Sequence, residues 1–158
     1  MHRAIYRCRQ ALHAFRPQLE DSDLEFAREL LSEPEAELFF AMERSDQRHA
    51  LAVALRLRQG TDDRSLLVAA LVHDCGKGSV PVWLRALNVV SPATLSRFAA
   101  EGRGWRDAAH RLRHHVELSV AKANDAGSSA MTVRLIHGKI EPAEAWRYEL
   151  LLAADDTS

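Results

Sequence analysis

The sequence predicts an all-α fold, and three observations carry that prediction. No segment alternates apolar and polar residues for long enough to read as a strand. Apolar residues recur instead at helical spacing along most of the chain. Breakers are few, with five prolines and seven glycines in 158 residues, and most of them stand between the periodic segments. Hydrophobic residues at 47% and charged residues at 27% suit a globular chain with a core to bury.

Each helix has its own signals. Asp21 and Asp23 give the first an acidic start, and Leu24, Ala27, Leu30 and Leu31 share one of its faces. Ser32 and Glu35 have the spacing of a capping box for a second helix reaching about Arg44. Pro34 falls in its first turn, where a missing N–H costs little. Ser45 or Asp46 caps a third helix, with His49, Ala50, Val53, Ala54 and Leu57 on one stripe and a stop at Gly60. Thr61-Asp62-Asp63 opens a fourth, which carries Leu66, Leu67, Ala69, Ala70 and Val72 and ends at Gly76. Pro81 and Pro92 flank a short helix around Trp83 to Leu87. Another covers Ala93 to Ala100, and Gly102-Arg103-Gly104 marks a turn. Helices around 106–126, 129–137 and 142–155 complete the chain.

Composition also excludes function classes. The longest apolar runs, Leu66 to Val72 and Leu150 to Ala154, fall far short of the roughly 20 residues of a membrane span. Arg3, Arg7 and Arg9 are followed by no apolar stretch or cleavage site, so no secretion signal is read. Cys8 and Cys75 cannot build a disulfide framework and suit a reducing cytoplasm. A net charge of -1 gives no reason to expect nucleic acid as an obligatory partner. Residues 1–19 carry arginines and no acid, while 20–46 hold ten acids against Arg28 and Arg44, a pattern read as a pair of solvated helix faces in preference to an acidic docking surface. The organisation expected is an N-terminal helical extension, 1–44, packed on a domain spanning 45–158.

Histidine is the unusual component, with eight in the chain. The apolar run Leu66 to Val72 ends abruptly in His73-Asp74-Cys75-Gly76-Lys77. An imidazole and a carboxylate at the end of a buried helix are costly unless paired or bound to metal. His49 lies on an apolar stripe one helix earlier. His115 falls within the 106–126 helix, His137 ends Leu135-Ile136-His137, and Asp155 follows the apolar run Leu150 to Ala154. Imidazole with a few carboxylates suits iron, manganese, zinc or nickel better than calcium.

From Arg48 to Asp156, the order His49, His73-Asp74-Cys75-Gly76-Lys77, His115-Val116-Glu117, His137 and Ala154-Asp155 resembles the HD superfamily of metal-dependent phosphohydrolases, in its HDIG-like and HD-GYP-like branch. The resemblance implies an HD-domain-like helical bundle with one or two divalent metal ions. Iron or manganese comes first, with zinc, nickel, cobalt or magnesium as further candidates. Carried over by position, His49, His73, Asp74 and Asp155 hold one ion, and Asp74 bridges to a second held by His115 and His137. Asp156 is the local substitute for Asp155, and His110 or His114 for His115. The departures are Cys75 for an aliphatic residue, Val116 for Pro, Ser119 for Gly and Gly138 for a second His. No Gly-Tyr-Pro follows, which argues against cyclic di-GMP as substrate.

The chemistry so implied is hydrolysis of a nucleotide or similar small phosphate ester, by attack of a metal-activated hydroxide on phosphorus. Asp74 and Lys77 are the candidate catalytic residues, Lys77 offsetting charge on the phosphoryl group. Arg48, His114 and Arg134 are weaker candidates for phosphate contacts, and Lys77 has the alternative use of neutralising a helix C-terminus. His2 and His13 read as surface residues. Cys75 reads as packing rather than as a thiolate ligand. Trp83 and Trp105 line a pocket or serve in a core or a lid, and 78–92 with 101–110 are the expected pocket walls. A homodimer is compatible with this reading. The competing class is an HD-like metal-binding module without catalysis, serving in signalling or protein interaction. A purely structural metal site is disfavoured, because such sites are usually closed and rich in cysteine.

Overall fold

The computed structural model describes residue 19 and residues 21–158, without the side chains of 96–98. Expectations for His2, His13, Cys8 and the N-terminal arginines lie outside the described residues. Among these, the structure is all-helical, with ten α-helices, one 3-10 turn and no strand. The helices are α1 (Asp21–Leu30), α2 (Glu33–Phe40), α3 (Arg44–Arg58), α4 (Arg64–Val72), α5 (Val82–Val90), α6 (Pro92–Phe98), α7 (Trp105–Arg113), α8 (His115–Asp125), α9 (Ala130–His137) and α10 (Ala145–Asp156). The 3-10 turn Pro142–Glu144 leads into α10. No described helix is long and apolar enough to cross a membrane.

α4 is the centre of the bundle. Every residue from Leu66 to Val72 is buried, because α1, α2, α3, α9 and α10 all pack against it. A helix apolar on all sides needs such a surround. Its start is fixed by Asp63, whose carboxylate accepts from the Leu66 amide and also pairs with Arg147 of α10. Ala27, Leu31, Phe39 and Met42 from the N-terminal helices belong to the same core as α3 and α4. A second, smaller core of Val80, Leu84, Leu95, Ala108, Ala109 and Leu112 holds α5, α6 and α7 together.

Several helix boundaries differ from the sequence reading. The fourth helix stops at Val72 rather than Gly76, and the last α-helix starts at Ala145 after the 3-10 turn. Two further breaks have visible causes. The second helix stops at Phe40, and Arg44 opens the next one instead of closing it. Gln47 accounts for the break: its side-chain amide donates to the Phe40 carbonyl at 3.1 Å and the Met42 carbonyl at 3.0 Å, satisfying groups that a continuous helix would have paired. Glu43, not Ser45 or Asp46, therefore precedes α3. Asp46 is left in the first turn and accepts both guanidinium nitrogens of Arg85, at 2.7 and 2.8 Å. The expected 106–126 helix is two helices, broken at His114. His115 thus begins a helix rather than lying inside one.

Candidate metal centre

Four helix ends meet at one end of the bundle. The α4 helix stops at Val72, and His73 to Lys77 continue as tight turns, with Cys75 N–H donating to Val72 O at 3.1 Å and Lys77 N–H to Asp74 O at 3.0 Å. His49 comes from the second turn of α3, Asp155 from the C-terminal end of α10 and His115 from the start of α8. The C-terminal ends of α4 and α10 carry the negative poles of their helices, which favours positive charge between them.

The distances join these residues. His49 Nε2 lies 2.7 Å from Asp155 Oδ1. His73 Nε2 lies 3.5 Å from that same oxygen and 3.5 Å from Asp74 Oδ2. On the other side of Asp74, Oδ1 faces His115 Nε2 at 3.9 Å. The ammonium of Lys77 sits directly on Asp74 Oδ2. His49, His73 and Asp74 each offer one ligand atom, and these atoms all lie within 4.8 Å of one another.

Hydrogen bonds at the far side of two rings decide what those rings can do. His73 Nδ1 is 2.9 Å from the Ala70 carbonyl, and His115 Nδ1 is 2.9 Å from the Leu112 carbonyl. A carbonyl only accepts, so the geometry assigns the proton to Nδ1 in both and leaves Nε2 facing the site. This is how metal-binding imidazoles are usually oriented. A neutral His73 would then turn a lone pair towards two carboxylates. Positive charge has to lie between them, either a second proton or a metal ion.

The electrostatics agree. Burial opposes the charged form of His73, but the Asp74 carboxylate, followed by Asp155, outweighs it and raises the pKa to about 9. Burial also opposes the charge on Asp74, yet His73, Lys77 and His115 together bring it down to about 2. Asp155 is likewise opposed by burial and held well below the usual carboxylate range by hydrogen bonds from His49 and His73. His115 is pushed down, first by burial, and so offers a neutral ring at physiological pH. Such a set of imidazole nitrogens and carboxylate oxygens fits a divalent transition metal.

Not every expected residue joins this group. His137 is half-buried at the end of α9, and no hydrogen bond or ion pair ties it to the cluster among the described residues. Arg134 pairs instead with Glu144 at 3.2 Å. His114 stands at the α7–α8 break with its ring 4.5 Å from that of His110. Arg48 is half-buried beside His49 on α3. Asp156 is exposed, and Asp155 makes the contacts. Trp83 and Trp105 are 53% and 43% exposed, their rings 5.9 Å apart, so neither is a core residue. Burial pushes the Cys75 thiol up, which keeps it protonated and unsuited to thiolate ligation.

Sequence reasoning missed the residues that bring Asp74 and His115 together. Ser119 Oγ accepts from the Gly76 amide at 2.8 Å, and Lys122 Nζ donates to the Cys75 carbonyl at 2.9 Å. Both lie on α8, one and two turns beyond His115. Ser119 was visible only as a departure from the pattern the sequence resembles, and Lys122 had no sequence signal at all.

Comparison with protein-family models, curated proteins and solved structures gives no match to this chain.

Proposed function

We propose that the chain is a divalent-metal-dependent phosphohydrolase of the HD type, acting on a nucleotide or similar small phosphate ester. The observation that carries this reading is the position of Asp74. Its two oxygens face different histidines, Oδ2 towards His73 and Oδ1 towards His115, as suits a carboxylate shared between two positions. A bound divalent ion would activate water and polarise a phosphoryl oxygen.

The protein's own residues have separable tasks. His49 and Asp155 hold each other and complete the side of the site nearest His73. His73 and His115 keep their Nε2 atoms turned inward through their bonds to Ala70 and Leu112. Lys77 keeps an ammonium at Asp74, within reach of charge developing on a phosphoryl group. No covalent role is required of any side chain.

The test is metal content per chain, on protein purified without chelator or affinity-tag metal, followed by assay against aryl phosphate mono- and diesters and nucleotides. Bound iron, manganese or a similar ion, lost in Asp74→Ala along with hydrolysis, is the expected result. No metal after reconstitution, or no turnover of any ester by the loaded protein, would remove the catalytic reading. The second reading, a metal-bound interaction module, draws on His137, which has no hydrogen bond or ion pair to the cluster among the described residues, whereas His115 faces Asp74 Oδ1 at 3.9 Å. Stoichiometric metal without turnover would favour it.

A further inference from the structure

Arg111 lies near the end of α7 and reaches across to the loop that follows the cluster. Its Nε donates to the Lys77 carbonyl at 3.2 Å, and its Nη2 to the Ser79 carbonyl at 2.9 Å. Its remaining nitrogen, Nη1, is ion-paired with Asp107, one turn back on α7. One planar guanidinium thus spans two carbonyls and one carboxylate, a fork that a lysine ammonium does not reproduce.

The loop is shaped for that grip. Gly78, between the two bonded carbonyls, has φ of 58°, and a Cβ built on it would lie 3.0 Å from Arg111 Nε. A left-handed residue turns its flanking carbonyls, and the missing side chain lets the guanidinium approach. Lys77 itself is half-buried, with its ammonium on Asp74. Its backbone is held on one side by Asp74 O and on the other by Arg111. The same arginine stands just before the α7–α8 corner from which His115 faces Asp74.

We infer that Arg111 is a positioning residue for Lys77: its guanidinium clamps the 77–79 loop and so keeps the ammonium at Asp74. The consequence for turnover rests on the phosphohydrolase reading above, whereas the clamp itself does not. Placement errors on the scale of an ångström in a charged group are costly to a reaction that depends on alignment.

Per-site acylation kinetics separate the two. The chain has three lysines, Lys77, Lys122 and Lys139, and exposed Lys139 serves as internal reference. Lys77 is expected to react several-fold faster, relative to Lys139, in Arg111→Ala than in the wild type. Arg111→Lys should recover part of the protection, and Arg58→Ala, which removes an exposed pair with Asp62, should leave Lys77 as protected as in the wild type. Gly78→Ala keeps the guanidinium but sets a Cβ against it, and is expected to expose Lys77 similarly; it keeps the test open if Arg111→Ala does not fold. In a loaded, hydrolytically active enzyme, Arg111→Ala should keep its metal while kcat falls by about tenfold or more. Unchanged Lys77 labelling in folded Arg111→Ala or Gly78→Ala would overturn the clamp. Absence of hydrolysis in the wild type would count against the phosphohydrolase reading alone, since labelling still decides the clamp.

Discussion

The backbone of Gly76 packs directly against Ser119 of α8. The Gly76 amide donates to Ser119 Oγ at 2.8 Å, and a Cβ on Gly76 would stand 2.4 Å from the His115 carbonyl oxygen and 2.6 Å from the Ser119 amide nitrogen. Both neighbours are main chain of α8 and cannot swing aside. The absence of a side chain at position 76 therefore lets α8 dock against the turn that holds Asp74. Gly76→Ala is expected to destabilise the protein by about 3 kcal/mol, which lowers Tm by roughly 6–12 °C for a chain of this size. Metal binding should weaken as well, because Asp74 and His115 separate. A thermal melt within about 2 °C of wild type, the shift expected of about 0.5–1 kcal/mol, would show that α8 is not docked this closely.

Glu35 contributes stability that is lost in acid. It is 2% exposed and accepts from the Ser32 amide and hydroxyl, each at 2.9 Å, and from the Ser128 hydroxyl at 2.8 Å. Burial opposes its charge, but the Ser32 and Ser128 bonds and then Arg64 bring its pKa below the ordinary 4.5. A carboxylate depressed in the folded state stabilises it fully above the unfolded pKa and loses that contribution as pH falls through the folded one. Glu35→Gln should cost about 1.5–3 kcal/mol at pH 7. The gap between variant and wild type should then narrow below about pH 4. Urea midpoints across that range measure it, and a gap independent of pH would contradict the assignment.

The sequence made the architecture legible where local chemistry dominates. Ser32 and Glu35 form the expected capping box, Asp63 caps α4, and the apolar run after it is buried throughout. What local signals could not show was produced by contacts distant in sequence. The end of α2 depends on Gln47 reaching back to Phe40 and Met42. The break at His114 lies between residues of good helical character and coincides with the docking of α8 on Gly76. In the site, His73, Asp74 and Asp155 were readable because they border apolar segments and His49 because it lies on an apolar stripe, whereas His115 was singled out through the resemblance. Ser119, Lys122 and Arg111 were not, because their partners are backbone groups of a loop remote in sequence, which no residue pattern announces.

Asp63 does two jobs, and they can be separated. Its Oδ1 accepts from the Leu66 amide at 3.2 Å, and its Oδ2 from Arg147 Nε at 2.6 Å. The cap fixes the start of α4, and the ion pair ties α10, which carries Asp155, to that start. Asp63→Ala should cost about 2 kcal/mol, of which about 1 kcal/mol is the cap. Arg147→Ala should remove the second part, together with the Arg147 contacts to Glu144 and to the Trp146 ring. A double-mutant cycle by urea denaturation is expected to give a coupling of about 1 kcal/mol, with m unchanged. Zero coupling would mean that the pair does not hold α10.

Asp155 and Asp156 offer the sharpest comparison in the site, since they are adjacent, chemically identical and differently placed. Asp155 Oδ1 is 2.7 Å from His49 and 3.5 Å from His73, while Asp156 is exposed. Any divalent ion held by His49, His73 and Asp74 would gain a fourth donor from Asp155 and none from Asp156. Excess metal at about 100 times its Kd should stabilise the wild type by about 2.7 kcal/mol, a rise in Tm of roughly 5–11 °C that chelator reverses. Asp156→Asn should keep that rise. Asp155→Asn should weaken metal affinity by at least about tenfold and reduce the rise at the same metal concentration by about 1.4 kcal/mol, a tenfold loss expressed as free energy. Equal metal-dependent shifts in the two variants would place the ion away from Asp155.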